Sequence, residues 1–379
     1  MNSDLNRPLG QNSKRPDSKS DKKSVTRWLL PSAAIVCVLC LASLVTYTSH
    51  QGFRRPIPEA PKPQIAEAAP SVVPPPAPVH DGKSQPGNIV TAPQGGPKVI
   101  VIGDPTRRSQ DPRTAHIPEA DMLEQSPQGP LPIIAPDGRR PLDIYARPWS
   151  GARGARIAIV IGGLGLSQTG SQKAIQTLPP EVTLAFSPEG NSLLRWMQAA
   201  RQDGHEVLMQ LPLEPYDYPR VNPGRNTLTV DASPAATLEN LHRTMGRITN
   251  YTGVMNYMGA RFTAEPAAMT PVIQDIAKRG LLYLDDGTSA RSQADSIATK
   301  QGAPFAAADL LIDGSQVRGA ILKKLDELER IARAKGTAIA TGSAFDVTVE
   351  AVTSWANEAK ARGIEIVPVS ALVRDPEKG

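Results

Sequence analysis

Beyond residue 156 the chain alternates between short apolar runs and segments with helical periodicity. The apolar runs lie at 157–161, 182–186, 207–211, 253–258, 281–284, 338–340 and 364–369. Short runs that are apolar throughout are typical of parallel strands covered on both faces. Segments with helical spacing lie between them, for example at 192–202, 234–248 and 266–278. This alternation predicts an α/β fold made of about seven strand–helix units.

The clearest helical segment is 317–334, where five apolar residues recur on one face: Val317, Ile321, Leu325, Leu328 and Ile331. Seven βα units in about 225 residues fit a distorted (β/α) barrel of about seven parallel strands, which is our predicted fold. An open doubly wound sheet is the alternative. In both folds, functional side chains gather at the carboxyl ends of the strands.

A second apolar pattern lies near the start of the chain, where residues 28–48 form an uncharged run. Its 21 residues match the roughly 20 that a helix needs to cross a bilayer. The preceding residues 1–27 are basic, so the positive-inside rule predicts a cytoplasmic N-terminus and an exported remainder. We therefore predict a single-pass anchor in the inner membrane; a cleaved signal peptide is the competing interpretation.

Composition separates the two patterned regions. Of the 37 prolines, 21 fall between residues 51 and 150, which is typical of an extended, core-less segment. The predicted organisation is a cytoplasmic tail at 1–27, an anchor at 28–48, a Pro-rich disordered linker at 49–129 and a domain at 130–379. Such a linker would let a periplasmic domain work at a distance from the membrane.

Charge and cysteine content exclude several classes of function. Residues 151–379 hold 24 Lys/Arg and 24 Asp/Glu, so the net charge of +5 lies outside the domain and nucleic-acid binding is not expected. The two cysteines, Cys37 and Cys40, both fall in the apolar run, which excludes disulfide scaffolds and cysteine-ligated zinc. The glycines at 162, 163 and 165 do not complete a dinucleotide-binding loop.

The strand ends carry four ordered motifs. They are Gln210-Leu-Pro-Leu-Glu-Pro215, Asn256-Tyr-Met-Gly-Ala-Arg261, Asp285-Asp-Gly-Thr-Ser289 and Gly342-Ser-Ala-Phe-Asp346. Together with Tyr145-Ala-Arg-Pro148, they resemble the divergent polysaccharide deacetylase family, a branch of the carbohydrate esterase superfamily. The resemblance covers roughly residues 131–373 and implies the distorted barrel named above.

That resemblance implies removal of acetyl groups from amino sugars by a zinc-like ion held by one Asp and two His, with a second carboxylate as base. This chain departs from the pattern at each of those positions. Gly162 and Gly163 replace an Asp-Asp pair, and Gln210 replaces a His. Tyr257 replaces the His of Asn-His-Met-Gly, and Ser343 replaces the His of Gly-His-Pro. The metal site is therefore predicted to be degenerate, with no metal and no cofactor.

The remaining polar strand-end residues are the candidates for function. Strand alternation sends Asp285 and Asp286 to opposite faces, and the resemblance favours Asp285 as the pocket residue and catalytic candidate. Four residues are candidates for sugar binding: Glu214, Asn256, Tyr257 and Arg261. For Arg261 and an acidic residue such as Glu214, the alternative is that they form an ion pair with each other. Of the domain's histidines, His205 and His242, neither is expected to be a ligand.

Two hypotheses follow from these residues. In the first, the domain is a non-catalytic module that binds an envelope glycan or a cell-wall protein. In the second, it is an active metal-dependent deacetylase of an envelope polysaccharide that uses remodelled carboxylates and a differently bound divalent ion. We favour the first because hydrolysis of an amide near neutral pH needs an activated water.

Overall fold

The computed structural model describes residues 113–378. The described part begins with a 3-10 turn at Ala120–Met122 and an antiparallel hairpin of β1 (Leu123–Ser126) and β2 (Gly129–Pro132). Met122 is fully buried in a small cluster with Ile144 and Tyr145. Residues 120–129, which composition assigned to the end of the linker, therefore form part of a packed hairpin.

The main sheet contains nine parallel strands. They are β3 (Arg156–Leu164), β4 (Thr183–Phe186), β5 (Val207–Leu213), β6 (Gly253–Met258), β7 (Leu282–Asp285), β8 (Phe305–Ala307), β9 (Leu310–Leu311), β10 (Thr337–Ser343) and β11 (Glu365–Ile366). Their order is β8-β7-β6-β5-β4-β3-β10-β9, and β11 pairs with β3 beside this path. Every pairing in this sheet is parallel.

Eight helices accompany the strands in the described residues. They are α1 (Pro141–Ile144), α2 (Gln168–Thr177), α3 (Leu193–Gln202), α4 (Pro234–Met245), α5 (Pro266–Lys278), α6 (Ala294–Gln301), α7 (Arg318–Lys335) and α8 (Asp346–Ala361). Short 3-10 turns follow β6 at Phe262–Ala264 and β11 at Val369–Leu372.

The two faces of the sheet pack against different partners. On the outer face, Ile157, Ile159 and Ile161 of β3 belong to a large cluster that includes residues of all helices from α2 to α8. On the inner face, Ala158 and Val160 join side chains from the neighbouring strands and from α1. An inner face that packs mainly on itself requires a curled sheet, so the sheet is a half-barrel rather than a doubly wound layer.

The predicted parallel α/β fold is confirmed, and the sheet has nine strands where seven were expected. The additional strands lie in one segment, 305–311, which pairs with β7 and then crosses to β10. At the crossing, the Ala308 amide donates to the Asp285 carbonyl and the Asp309 amide donates to the Ile339 carbonyl. In the sequence, Asp309 interrupts the apolar residues of this segment, so it does not form one of the continuous apolar runs that located the other strands.

Local sequence determines where the helices begin and end. The Ser167 hydroxyl caps α2 by accepting the Gly170 amide at 3.0 Å. The long helix α7 buries Ile321, Leu325 and Leu328 of the predicted apolar face, whereas Val317 precedes the helix and is exposed. The helix ends at Gly336, whose φ of 84° suits a residue without Cβ.

The described residues contain no helix long and apolar enough to cross a membrane. The predicted anchor at 28–48 lies outside residues 113–378, so it stays a prediction.

Candidate functional site

A cavity of about 400 Å³ opens where the strands of the main sheet end. Its walls come from the carboxyl ends of β3, β5, β6 and β10 and from the turn after β7. Six residues singled out in the sequence line it: Gly162, Gly163, Gln210, Asn256, Tyr257 and Ser343. The other three, Glu214, Arg261 and Asp285, are not among its lining residues.

Gly162 and the side chain of Gln210 are in close contact in the cavity wall. The Gln210 side chain is buried, and its Oε1 accepts the Gly163 amide at 2.8 Å. A Cβ added at Gly162 would lie 2.6 Å from Gln210 Nε2. Any side chain at position 162 therefore requires the Gln210 amide to shift. Gly163 itself has a φ of 80°, a conformation that favours glycine.

Of the two adjacent carboxylates after β7, Asp286 faces the cavity. Leu282 and Leu284 belong to the inner-face cluster, and strand alternation continues that face to Asp286. Asp285 is directed elsewhere, where its carboxylate accepts the Gly287 amide and the Ser292 hydroxyl. Alternation allowed at most one of the two carboxylates to face the pocket, and the resemblance favoured Asp285; the structure places Asp286 there instead.

Asp286 is 9% exposed, and its Oδ1 accepts both the amide and the hydroxyl of Thr288, at 2.9 and 2.7 Å. Burial raises the pKa of Asp286 above its ordinary value of 3.8, and the Thr288 hydrogen bonds oppose that shift. Thr288 does not cap a helix, because α6 begins later, at Ala294.

Asn256 lines the cavity but uses its amide group to shape it. Its Nδ2 donates to the Met258 carbonyl at 2.9 Å, and its Oδ1 accepts the Asp286 amide at 2.8 Å. The first bond supports the left-handed conformation of Met258, whose φ is 58°. The second ties the end of β6 to the turn after β7. Asn256 thus positions Asp286.

Glu214 and Arg261 form an ion pair outside the cavity. Arg261 Nη1 donates to Glu214 Oε1, and the second carboxylate oxygen accepts the Val230 amide at 2.6 Å. The Glu214 side chain is 2% exposed, so Arg261 compensates a buried charge. The ion-pair alternative considered for these two residues describes their geometry, and neither is placed to contact a ligand in the cavity.

The rim of the cavity is apolar. Leu166, Tyr257, Leu311 and Phe345 line it and are all large apolar residues with at least 40% of their surface exposed. Tyr257 was singled out from its motif, and Phe345 lies in the last of the four motifs but was not singled out. Leu166 and Leu311 have one sequence signal, an apolar residue within a turn or a short strand, which is too common to identify a site.

Both histidines of the domain lie away from the cavity. The His205 ring contacts the Val182 carbonyl at 2.8 Å and the Ile175 carbonyl at 3.1 Å, and burial lowers its pKa. His242 Nε2 contacts Asp275 Oδ2 at 3.0 Å. Both have structural roles.

The residues that line the cavity do not fit a zinc-like ion. Zinc sites with oxygen and nitrogen ligands use carboxylates and imidazoles, and Asp286 is the single such group lining this cavity within residues 113–378. No cluster of three or more His, Cys, Asp or Glu residues in that range is arranged to hold a metal. The family's metal chemistry has no ligand set here, and we derive no step through it.

The chain is similar in sequence to proteins of Escherichia coli and Haemophilus influenzae. The uncharacterized protein YibQ of Escherichia coli is 24% identical over 222 residues, 59% of this chain and 68% of the relative. A Haemophilus influenzae protein is 26% identical over 188 residues, 50% of this chain and 66% of the relative. The alignments thus span about two thirds of each curated relative.

A solved structure resembles most of the described domain. The crystal structure of the uncharacterized protein ATU2773 from Agrobacterium tumefaciens C58 has 60% sequence identity and a TM-score of 0.64, covering 64% of this chain and 99% of that one. The family model for divergent polysaccharide deacetylases matches residues 159–373, more than half of the chain and all of the strands that build the cavity. The protein belongs to the divergent polysaccharide deacetylase family.

Proposed function

We propose that this chain is a membrane-anchored periplasmic protein that binds an envelope glycan or a cell-wall protein in its cavity without deacetylating it. The observation on which this rests is the Gly162–Gln210 contact. Gln210 Nε2 lies within 2.6 Å of where a Cβ at residue 162 would sit. A carboxylate at that position, as in active-looking relatives, would require the Gln210 side chain to leave its present position.

The chemistry of the lining supports the same conclusion. Hydrolysis of an acetamide near neutral pH needs an activated water, which the family's metal would supply. The cavity offers the carboxylate of Asp286, the phenol of Tyr257, hydroxyls, one side-chain amide that is bonded to Gly163 and one that is bonded to Met258 and Asp286. These groups suit hydrogen bonding and stacking against a saccharide.

The path of the chain supports a ligand held away from the membrane. Ala115, close to the first described residue, accepts hydrogen bonds from Arg201 Nε at 3.3 Å and Asn250 Nδ2 at 2.9 Å. Both donors lie just before the starts of strands β5 and β6. The chain therefore enters the domain at the amino ends of the strands, opposite the cavity.

The predicted linker is long enough to hold the domain at a distance from the membrane. Residues 49–112 would span about 200 Å if fully extended at about 3.1 Å per residue. A domain tethered in this way would reach a polymer layer distant from the bilayer.

Metal content tests the proposal. The full-length protein, purified in detergent with and without added zinc, is analysed for bound metal and for release of acetate from acetylated amino-sugar polymers. We expect neither stoichiometric metal nor acetate release. One tightly bound ion per chain that is lost in Asp286→Asn, together with acetate release, would establish the active deacetylase instead.

The predicted topology has its own test. A reporter that is active only in the periplasm is fused after Gly379, and a reporter that is active only in the cytoplasm is fused at the same position. We expect activity from the first alone and recovery of the intact chain with the membranes. A shortened chain released in soluble form would support the signal-peptide interpretation and would remove the anchor from the proposal.

A further inference from the structure

The described residues that line the cavity carry negative charge only. Asp286 is the only Asp, Glu, Lys, Arg or His among the described residues that line it. A second carboxylate stands directly behind the wall, where Asp313 Oδ2 accepts the Ser343 amide at 2.6 Å and the Thr348 hydroxyl at 3.0 Å. Asp313 is 6% exposed. A ligand in this cavity meets a negative charge that no lining cation offsets.

Asp286 keeps one oxygen available. Its protein hydrogen bonds, from the Thr288 amide and hydroxyl, both end on Oδ1. Its Oδ2 accepts none from the residues that the structure describes, although the residue is 91% buried and lines the cavity. A carboxylate oxygen that lines a cavity and has no protein donor within hydrogen-bond distance is available to a ligand, so a ligand with a strong donor gains most from this position.

The rest of the lining defines what surrounds that donor. Tyr257 and Phe345 stand at the rim with 40% and 43% of their surfaces exposed, and aromatic faces pack on the apolar faces of sugar rings and attract cations. The hydroxyls of Ser343 and Thr341 lie deeper in the lining. We infer that the cavity selects a saccharide that carries a free amino group, with the ammonium donating to Asp286. This inference rests on the proposed function as a binding module.

An anionic ligand is the alternative that helix α2 raises, because its N-terminus reaches the cavity through Ser167. Two of the amide donors there are already used. The Gly170 amide donates to the Ser167 hydroxyl, and the Ser171 amide donates to the Ser167 carbonyl. An anion would also face the carboxylate of Asp286 without a lining cation, so the observations favour a cation.

Three oligosaccharides of one length and one linkage test the inference. They are β-1,4-linked tetramers that differ only at carbon 2, which carries an ammonium, an acetamide or a hydroxyl group. Binding to the full-length protein is measured by calorimetry at constant ionic strength. A charge-assisted hydrogen bond predicts that the ammonium form binds about 10- to 100-fold more tightly than the other two.

Two variants assign the preference to its residue. Asp286→Asn keeps the size of the side chain and removes its charge, and it should abolish the preference for the ammonium form. Asp203→Asn is the matched control, because Asp203 is exposed at the end of α3, shortly before β5 begins and so at the opposite end of the strands from the cavity. It removes the same charge and should keep the preference, provided that thermal melting shows both variants folded.

The outcomes separate the inference from the proposed function. Equal binding of all three tetramers, or tighter binding of the acetamide, would overturn the inference and leave a glycan-binding module. A preference that survives in Asp286→Asn would also overturn it, because the charge would then act from elsewhere. Binding of none of them would contradict both the inference and the glycan part of the proposed function.

Discussion

The two ends of the main sheet treat buried charge differently. At the end where the strands begin, buried charged side chains have protein hydrogen-bond partners. At the end where the strands finish, a single carboxylate faces an open cavity. At the first end, Arg140 donates to both oxygens of Asp375, at 3.1 and 2.6 Å, and the two side chains are 6% and 3% exposed. Glu206 is fully buried there and accepts the Ser370 amide, the Ser370 hydroxyl and the Arg147 amide.

This difference separates structural charge from charge available for binding. Both ends bury ionisable groups, so burial alone does not mark a site. At the amino end the carboxylate oxygens of Asp375 and Glu206 all have protein donors. At the carboxyl end Asp286 uses one oxygen and leaves the second toward the cavity. The unused acceptor is the feature that distinguishes the candidate site.

The largest expected effect is at the amino end. Arg140→Ala leaves the buried carboxylate of Asp375 without its main partner, which should lower the free energy of unfolding by about 3–5 kcal/mol. Pairing with Arg140 is among the causes that lower the pKa of Asp375 below 3.8. The loss should therefore be complete above about pH 4 and shrink as the pH falls through the lowered pKa. Urea unfolding of the full chain, followed by tryptophan fluorescence, measures it.

Arg139→Ala is the control for that prediction. Arg139 makes ion pairs with Asp137 and Asp121, but its side chain is 32% exposed and both acids are more exposed. Its loss should cost less than about 1 kcal/mol. Equal effects of the two substitutions would show that the end of the sheet where the strands begin does not depend on its buried pair.

A smaller effect is expected in the cavity wall. Gly162→Ala places a Cβ against Gln210 Nε2, so the Gln210 amide must shift and its hydrogen bond from the Gly163 amide is weakened, which should cost about 0.5–1.5 kcal/mol. In the background of Gln210→Ala the added methyl group meets no amide, so its own cost should nearly vanish. A double-mutant cycle by urea unfolding gives the coupling between the two residues. Additive effects would mean that Gln210 does not occupy the space above Gly162.

How much of the fold the sequence predicts depends on the length of each signal. Seven of the main-sheet strands and the long helix α7 follow from apolar periodicity, which averages over many residues. The segment 305–311 was missed because its pairing with β7 and β10 is a tertiary property of two very short strands. The hairpin of β1 and β2 was missed because prolines dominate its composition, although Met122 anchors the segment that leads into it.

The candidate site was predicted in part for a similar reason. Motif positions located Gly162, Gln210, Tyr257 and Ser343 on the cavity, because strand ends in a parallel sheet meet at one edge. Asp286 required the inward face of β7 to be known, and Leu282 and Leu284 reveal it only once the sheet is seen to curl.

The smallest expected effect is the change in folding stability with pH that Asp286 causes, and Asp375 at the other end of the sheet is its comparison. Burial raises the pKa of Asp286 above 3.8, so its folded form binds a proton more tightly than the unfolded chain does. The wild type should therefore lose stability relative to Asp286→Asn as the pH rises from about 4 through the raised pKa, by less than a typical hydrogen bond of about 1 kcal/mol.

Asp375→Asn should show the opposite sign, because the pKa of Asp375 is lowered and its charged form stabilises the fold. The wild type gains stability over this variant as the pH rises from the lowered pKa to about 4, and keeps the gain above that. Thermal melting of the wild type and both variants between about pH 3 and pH 7 measures the two trends side by side. Parallel trends would mean that Asp286 is as fully compensated as Asp375, and the cavity would then hold no carboxylate oxygen free for a ligand.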